Sequence, residues 1–388
     1  MTSKFPLATA TWDQKEIDAM QKVITSGNFT MGENVKLFER KFSKYIGSQN
    51  SVMVNSGSSA NLLMIAALFY TKNPKLKLKR GDEVIVPAVS WSTTYYPLYQ
   101  YGLKIKFVDI NLETLNYDLV QLESAITNKT RVVLAVNLLG NSNDFDCINK
   151  YLKGKNIILL EDNCESMGAT FNDKKTGTFG VMGTFSSFYS HHISTMEGGI
   201  IVTDNEELNQ ILISLRSHGW TRDLPDKNLI CDSKSDDLLE ESFRFILPGY
   251  NVRPLELEGV LGVEQVKKLP MIISERRKNA KLFKETLSNH PDLLIQKEVG
   301  KSSWFGFSII IKPSSSLTRK ELVVKLRHLG FELRPIVTGN FLKNEVIKFF
   351  NHEVHNSLKN AEYLDKNGLF IGNHHYPMPD AFKALLKI

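Results

Sequence analysis

Residues 186–199 read Ser-Ser-Phe-Tyr-Ser-His-His-Ile-Ser-Thr-Met-Glu-Gly-Gly, an apolar approach, two adjacent histidines and a Glu-Gly-Gly turn, the make-up of a reactive loop between two strands. Imidazole, with an unperturbed pKa of about 6.5, can take and return a proton near neutrality, so His191 is a candidate for general acid–base work. His192 would point to the other side of an extended segment and is read as a packing or hydrogen-bonding residue. Asp162 closes an apolar run in Leu160-Glu161-Asp162-Asn163-Cys164-Glu165. Ligand-contacting residues of open α/β sheets gather at the carboxyl ends of strands. A carboxylate there either holds a pyridine nitrogen protonated or caps the next helix. The turn Asn55-Ser56-Gly57-Ser58-Ser59, between an apolar strand and an apolar helix, would aim backbone N–H groups and a helix dipole at an anion, a phosphate above all. Turns rich in Gly and Ser also arise for steric reasons alone. The pairs His374-His375 and His352/His355 have metal-like spacing but no evident third ligand, and are read as surface residues.

Short apolar runs must position these groups. Residues 51–54, 83–87, 105–109, 131–136, 157–160 and 199–203 read as strands, and helix-length segments separate most of them. That alternation implies a mostly parallel sheet covered on both faces. Phe38, Phe42 and Tyr45 recur at helical spacing and read as core. Residues 221–241 lack periodicity and read as an excursion loop. A long helix is expected over 256–285, broken or kinked at Pro270. Beyond it, strand-like 304–311, a helix with Leu322 and Leu326 and a last strand near 331–334 suggest a small α/β unit.

Composition narrows the class. With 388 residues, 42% hydrophobic and 23% charged, the chain is long enough for a large unit, 1–255, and a smaller one, 256–388, entered through the long helix. A net charge of +6, spread among acids rather than gathered in a stripe, disfavours nucleic-acid binding. Cys147, Cys164 and Cys231 form no C-x-x-C and read as reduced thiols of a cytoplasmic protein. No apolar run approaches the ~20 residues of a membrane helix, and no metal site is expected.

The 55–62 turn, Gly81-Asp82-Glu83-Val84-Ile85-Val86-Pro87, Glu161-Asp162, the 191–199 loop and Gly249-Tyr250-Asn251-Val252-Arg253 occur in a fixed order and spacing. Over nearly its whole length the chain thereby resembles the sugar aminotransferase/dehydratase family, pyridoxal-phosphate-dependent enzymes of fold type I. In that family the loop reads roughly F-S-F-x-x-x-K-x-[IL]-[ST]-x-x-E-G-G, and its lysine carries the cofactor. Here that position is His191. The replacement, together with Trp91-Ser92-Thr93-Thr94-Tyr95-Tyr96 and Arg334-Pro335-Ile336-Val337-Thr338-Gly339-Asn340-Phe341, resembles the dehydratases of the family that act on a GDP-linked 4-keto-6-deoxy sugar.

The resemblance implies an α/β, aspartate aminotransferase-like fold and pyridoxal 5'-phosphate or pyridoxamine 5'-phosphate as cofactor. It implies that Gly57 and Ser58 offer N–H groups to the cofactor phosphate, with a hydroxyl from Ser186. Asp162 would face the pyridine nitrogen, Trp91 would stack on the ring, and Glu165 would lie close to it. Asn251 would reach the phosphate of the other subunit's cofactor, making the active unit a homodimer with sites at the interface. Arg253 would clamp the carboxylate of the amino-acid donor, L-glutamate, with its planar fork. His218, Arg222, Glu332 and the loop Gly27-Asn28-Phe29-Thr30 are candidates for contacts with glutamate and the GDP-sugar, or else ordinary surface residues. Histidine cannot form lysine's stable covalent link to the cofactor but can still move a proton, which favours loss of the C3 hydroxyl with release of ammonia over amination. Two other readings stand beside this one: a sugar aminotransferase with another base in place of lysine, and a noncatalytic cofactor- or sugar-binding relative.

Overall fold

The apolar runs assemble into one eight-stranded sheet in the computed structural model, which describes residues 3–388. Its spatial order is Asn50–Val54, Gly199–Thr203, Met182–Ser186, Ile158–Asp162, Thr130–Val136, Glu83–Pro87, Lys104–Val108 and His352–Val354. Gly199–Thr203 alone runs against the others, pairing antiparallel with both neighbours; the remaining pairs are parallel. Continuous apolar strands suit this arrangement because helices cover both faces. On one face Gly57–Tyr70, Ser92–Gln100 and Glu206–Arg216 pack on Val52, Val84, Ile105 and Leu160. On the other, Glu33–Ile46 and Glu256–Leu287 close over Met53, Phe185 and Ile200.

The expected strands are all present with boundaries within a residue or two, and the 157–160 run continues to Asp162. Phe38 and Phe42 are buried as expected, packed ring to ring at 5.8 Å. The long helix differs from expectation. Glu256–Leu287 runs unbroken through Pro270. Proline in a helix interior costs ~3 kcal/mol, but Leu269, Ile272, Ile273 and Phe283 are all buried along the same helix. At about 1.5–3 kcal/mol per buried side chain, packing outweighs the lost bond. The 221–241 excursion is less irregular than its sequence: it holds a two-stranded ladder, Lys227–Asn228 with Asp232–Ser233, and the short helix Leu238–Ser242.

A second, antiparallel sheet has the order Leu293–Ile295, Gly306–Ile311, Gly368–Gly372, Leu333–Arg334. Leu333–Arg334 is therefore not the last strand. His352–Val354, three residues long, and Gly368–Gly372, bounded by glycines at both ends, follow it. The chain passes repeatedly between the two sheets. Phe5 bridges Phe331 beside the small sheet, and His352–Val354 returns to the edge of the large one. The returning strand is fastened by Glu353, which pairs with Lys104 and, at 3.1 Å, with the buried Lys106.

Candidate active site

The carboxyl ends of the parallel strands converge on a cavity of about 470 Å³, as expected for an open α/β sheet. Asp162 is the last residue of Ile158–Asp162 and is 5% exposed. Its Oδ2 accepts from Asn61 Nδ2 at 2.9 Å and Thr94 Oγ1 at 2.8 Å, and its Oδ1 accepts from the Cys164 N–H at 3.1 Å. Each side-chain donor is itself held: Thr184 Oγ1 donates to Asn61 Oδ1 at 2.7 Å, and Thr94 shares a 2.7 Å bond with Ser90. Turns, not a helix, follow Asp162, so it does not serve as a helix cap.

Ser56 caps the helix Gly57–Tyr70, its Oγ accepting from Ser59 N at 3.1 Å. The Gly57 and Ser58 N–H groups at this helix start have no intrahelical acceptor and lie at the cavity wall. A Cβ at Gly57 would stand 2.8 Å from Ser186 Cβ and 3.0 Å from Cys164 Sγ, so only glycine lets the three segments meet. The result is a cradle of N–H groups and hydroxyls sized for an anion. Trp91 stands at the cavity with 57% of its surface exposed, a flat apolar face open to a ligand.

Strands Met182–Ser186 and Gly199–Thr203 are hydrogen-bonded neighbours, so the 187–198 loop is the end of a hairpin. It is pinned by Thr195 N to Ser187 O at 2.9 Å, Tyr189 N to Met196 O at 3.0 Å, and Trp12 Nε1 to Ser194 O at 2.9 Å. Pinning presents His191 to the cavity with its ring 5.1 Å from that of Phe305. Its Nδ1 is buried without a partner. Desolvation, with the positive charge of Arg276 second, pulls the imidazole down to about 4. His191 is thus a neutral base at neutral pH. His192 is fully buried, its Nε2 3.2 Å from Ser303 O, in the packing role expected of it. No lysine lines the cavity among the described residues.

Glu165 also faces the cavity, with Oε2 accepting from Leu139 N at 3.0 Å, and desolvation pushes it up to about 7. Gly57, Ser58, Trp91, Asp162, Glu165, Ser186 and His191 are therefore brought together. The other candidates stand outside. Arg253 donates from Nε to Asn251 Oδ1 at 3.0 Å, and the guanidinium groups of Arg222 and Arg253 lie 4.3 and 5.6 Å from the Trp220 ring, with His218 against the same indole at 4.7 Å. The exposed loop Gly27-Asn28-Phe29-Thr30 abuts this group: Thr30 bridges Leu255 and Phe29 O accepts from Glu256 N at 2.9 Å. This surface joins the cavity through Asn55 N, which donates to Val252 O at 3.0 Å. Glu332 accepts from the N–H of Leu7, itself a cavity residue.

Sequence reading missed Asn61 and Thr94. Asn61 had left a signal, a lone amide in an otherwise apolar helix, which must find a partner when buried. His374 is a correction: it is 2% exposed rather than on the surface, because the N-terminal segment covers it, with Nε2 3.0 Å from Pro6 O and Nδ1 3.1 Å from Thr9 Oγ1. His352 is exposed and His355 and His375 are half-buried. Among the described residues no cluster could hold a metal ion, and no helix is long and apolar enough to cross a membrane.

Residues 10–382 match the profile of the DegT/DnrJ/EryC1/StrS aminotransferase family. The GDP-4-keto-6-deoxy-D-mannose 3-dehydratase of Yersinia pseudotuberculosis is 63% identical over 99% of this chain and 98% of its own length. The E. coli enzyme of that name, solved with bound hydrated PLP, superposes with a TM-score of 0.98 at 62% identity, covering 100% of this chain and 99% of that one. A second structure of such a dehydratase, holding a trapped PLP-glutamate geminal diamine, has a TM-score of 0.97 at 62% identity and covers 99% of both chains.

Proposed function

The chain belongs to the DegT/DnrJ/EryC1/StrS aminotransferase family, and from that premise we propose that it is a pyridoxal-phosphate-dependent 3-dehydratase of GDP-4-keto-6-deoxy-D-mannose. It uses L-glutamate to convert the cofactor to its pyridoxamine form and removes the sugar's C3 hydroxyl, giving GDP-4-keto-3,6-dideoxy-D-mannose, ammonia and 2-oxoglutarate. Full-length similarity to dehydratases of that name supports the reading. The observation that carries the mechanism is a histidine, and no lysine, at the cavity.

Bound in this cavity, the cofactor supplies an electron sink that lets a C–O bond break next to an imine-forming ketone. Asp162, fixed by three donors, keeps a counter-charge at the ring nitrogen. Gly57, Ser58 and Ser186 hold the phosphate, Trp91 covers the ring, and Glu165 lies beside it. In the sugar half His191, a neutral imidazole, would take the proton from C4′ of the bound cofactor, and the C3 hydroxyl would leave as water with a proton from His191 or from a water it activates. Asn251 and Arg253 lie outside their own chain's cavity and serve the site of a second copy, so the active unit is a homodimer. Arg253 receives the glutamate carboxylate, while His218, Arg222, Glu332 and the 27–30 loop contact glutamate and the GDP-sugar. Three free thiols fit a cytoplasmic enzyme.

The test combines the protein with pyridoxal phosphate, glutamate and GDP-4-keto-6-deoxy-D-mannose. One ammonia and one 2-oxoglutarate per sugar are expected, with a sugar lighter by one oxygen atom, because C3–OH becomes C3–H while glutamate supplies the two reducing equivalents. An amino sugar would make the protein an aminotransferase, and an unchanged sugar would make it a noncatalytic relative. Borohydride is expected to leave the cofactor unattached to the protein, because no lysine stands ready to link to it. A reduced lysine adduct in the peptide map would overturn the untethered site.

A further inference from the structure

We propose that Arg276 is a positioning residue for His191, acting from behind the cavity wall through the 303–305 segment. The inference rests on His191 as the proton-transfer group. Arg276 lies on Glu256–Leu287, is 5% exposed, and forms no salt bridge with a carboxylate among the described residues. Its Nη1 donates to Phe305 O at 3.0 Å and Trp304 O at 3.3 Å, and its Nε finds no acceptor. A buried guanidinium without a counter-ion is costly, so the carbonyls it binds must offset that cost.

What it grips is the wall on which His191 rests. Trp304 is held at φ 50, a left-handed conformation unusual for a bulky residue. The far side of the same turn is tied by Ser303 N to Gly140 O at 2.9 Å and Phe305 N to Leu139 O at 3.1 Å. Asn373 Nδ2 adds a bond to Trp304 O at 2.9 Å and another to Arg276 O at 3.1 Å. Gripped from both sides, the turn places the Phe305 ring against both His191 and His192, at 5.1 and 5.7 Å.

The second effect is electrostatic. Arg276 is a fixed positive charge behind a histidine that no carboxylate contacts, and it opposes protonation of that ring. Facing His191 across the cavity are Asp162, Glu165, Glu197 and Arg334, with His192 beside it on the loop. The arrangement inverts the familiar pairing in which an acid steadies an imidazolium: here the ring is kept as the free base, open at Nε2.

The test is an NMR titration of His191 in the full chain, with and without pyridoxal phosphate, in wild type and in Arg276→Gln, Arg276→Met and Arg276→Lys. Removing the like charge raises the midpoint, so the two uncharged variants should titrate about one pH unit higher, near the low end of what one neighbouring charge does. The acid limb of kcat/KM for sugar dehydration should move up by the same amount. Arg276→Lys keeps the charge and loses the two-carbonyl grip, so its midpoint should stay while kcat falls about tenfold. An unchanged midpoint in both uncharged variants, or a Lys variant with full kcat, would overturn the proposal, and the Lys variant decides alone if the others do not fold. A midpoint that moves while the acid limb stays supports the action of Arg276 on His191 and removes His191 from the reaction, which separates this inference from the proposed function.

Discussion

His191→Asn is expected to bind pyridoxal phosphate as the wild type does and to lose dehydration by roughly 10³-fold, within the range a positioned acid–base group supplies. Asparagine fills much of the imidazole's space but cannot take a proton. Loop geometry should survive, since the bond that His191 makes within the loop is from its backbone N–H to Phe188 O at 2.8 Å. What is lost in packing is the ring contact with Phe305 and that with Phe188, each worth about 1 kcal/mol. Spectra of the bound cofactor and single-turnover assays of each half-reaction separate the effects. The glutamate half and the sugar half should both slow, because each moves a proton at the same carbon. Dehydration at more than a tenth of the wild-type rate would show that another group carries the proton. His192→Asn should do the reverse, costing stability through the Ser303 bond and leaving the chemistry nearly intact.

The cavity floor was legible in the sequence because it is built from chain-local signals. Asp162 ends an apolar run, Gly57 starts an apolar helix, and His191 stands at a fixed distance from Glu197 and Gly198. Each rule concerns a few neighbouring residues, and parallel β-sheet topology then brings the strand ends together. The walls were not legible. Phe305 reads in sequence as part of a 304–311 strand, but the strand begins at Gly306 because the carbonyls of Trp304 and Phe305 are taken by Arg276. Arg276 falls at helical spacing from Ile272, Ile273 and Ala280, on the buried stripe of its helix, but a guanidinium in the charged run Glu275-Arg276-Arg277-Lys278 reads as solvated. Its burial depends on Trp304 and Asn373, far along the chain. His374 failed for the same reason, its cover being residues 6–9, at the other end of the chain.

Asp162→Asn tests the other end of the proposed cofactor site, and it should act on both the apoprotein and the chemistry. The carboxylate is an acceptor on every side: Asn61 and Thr94 donate to Oδ2, and the Cys164 N–H donates to Oδ1. An amide carries one acceptor and one NH₂. Facing its NH₂ toward Asn61 opposes two donors, and Asn61 is kept from turning by Thr184 on its own oxygen. Facing it the other way opposes the Cys164 N–H. Either orientation strands a buried donor, at a cost of about 1–3 kcal/mol, so the cofactor-free variant should melt a few degrees lower. With cofactor added, a neutral amide no longer supplies the counter-charge for a protonated ring nitrogen, and turnover should fall by a further factor on the order of 10²–10³, the usual worth of a preorganised electrostatic group. Asn61→Ala separates the two contributions, because it removes a donor to Oδ2 without adding a charge beside the Asp162 carboxylate. If Asp162→Asn keeps near-normal turnover at saturating cofactor, with only its melting temperature lowered, Asp162 is a structural acceptor and the ring nitrogen is governed elsewhere.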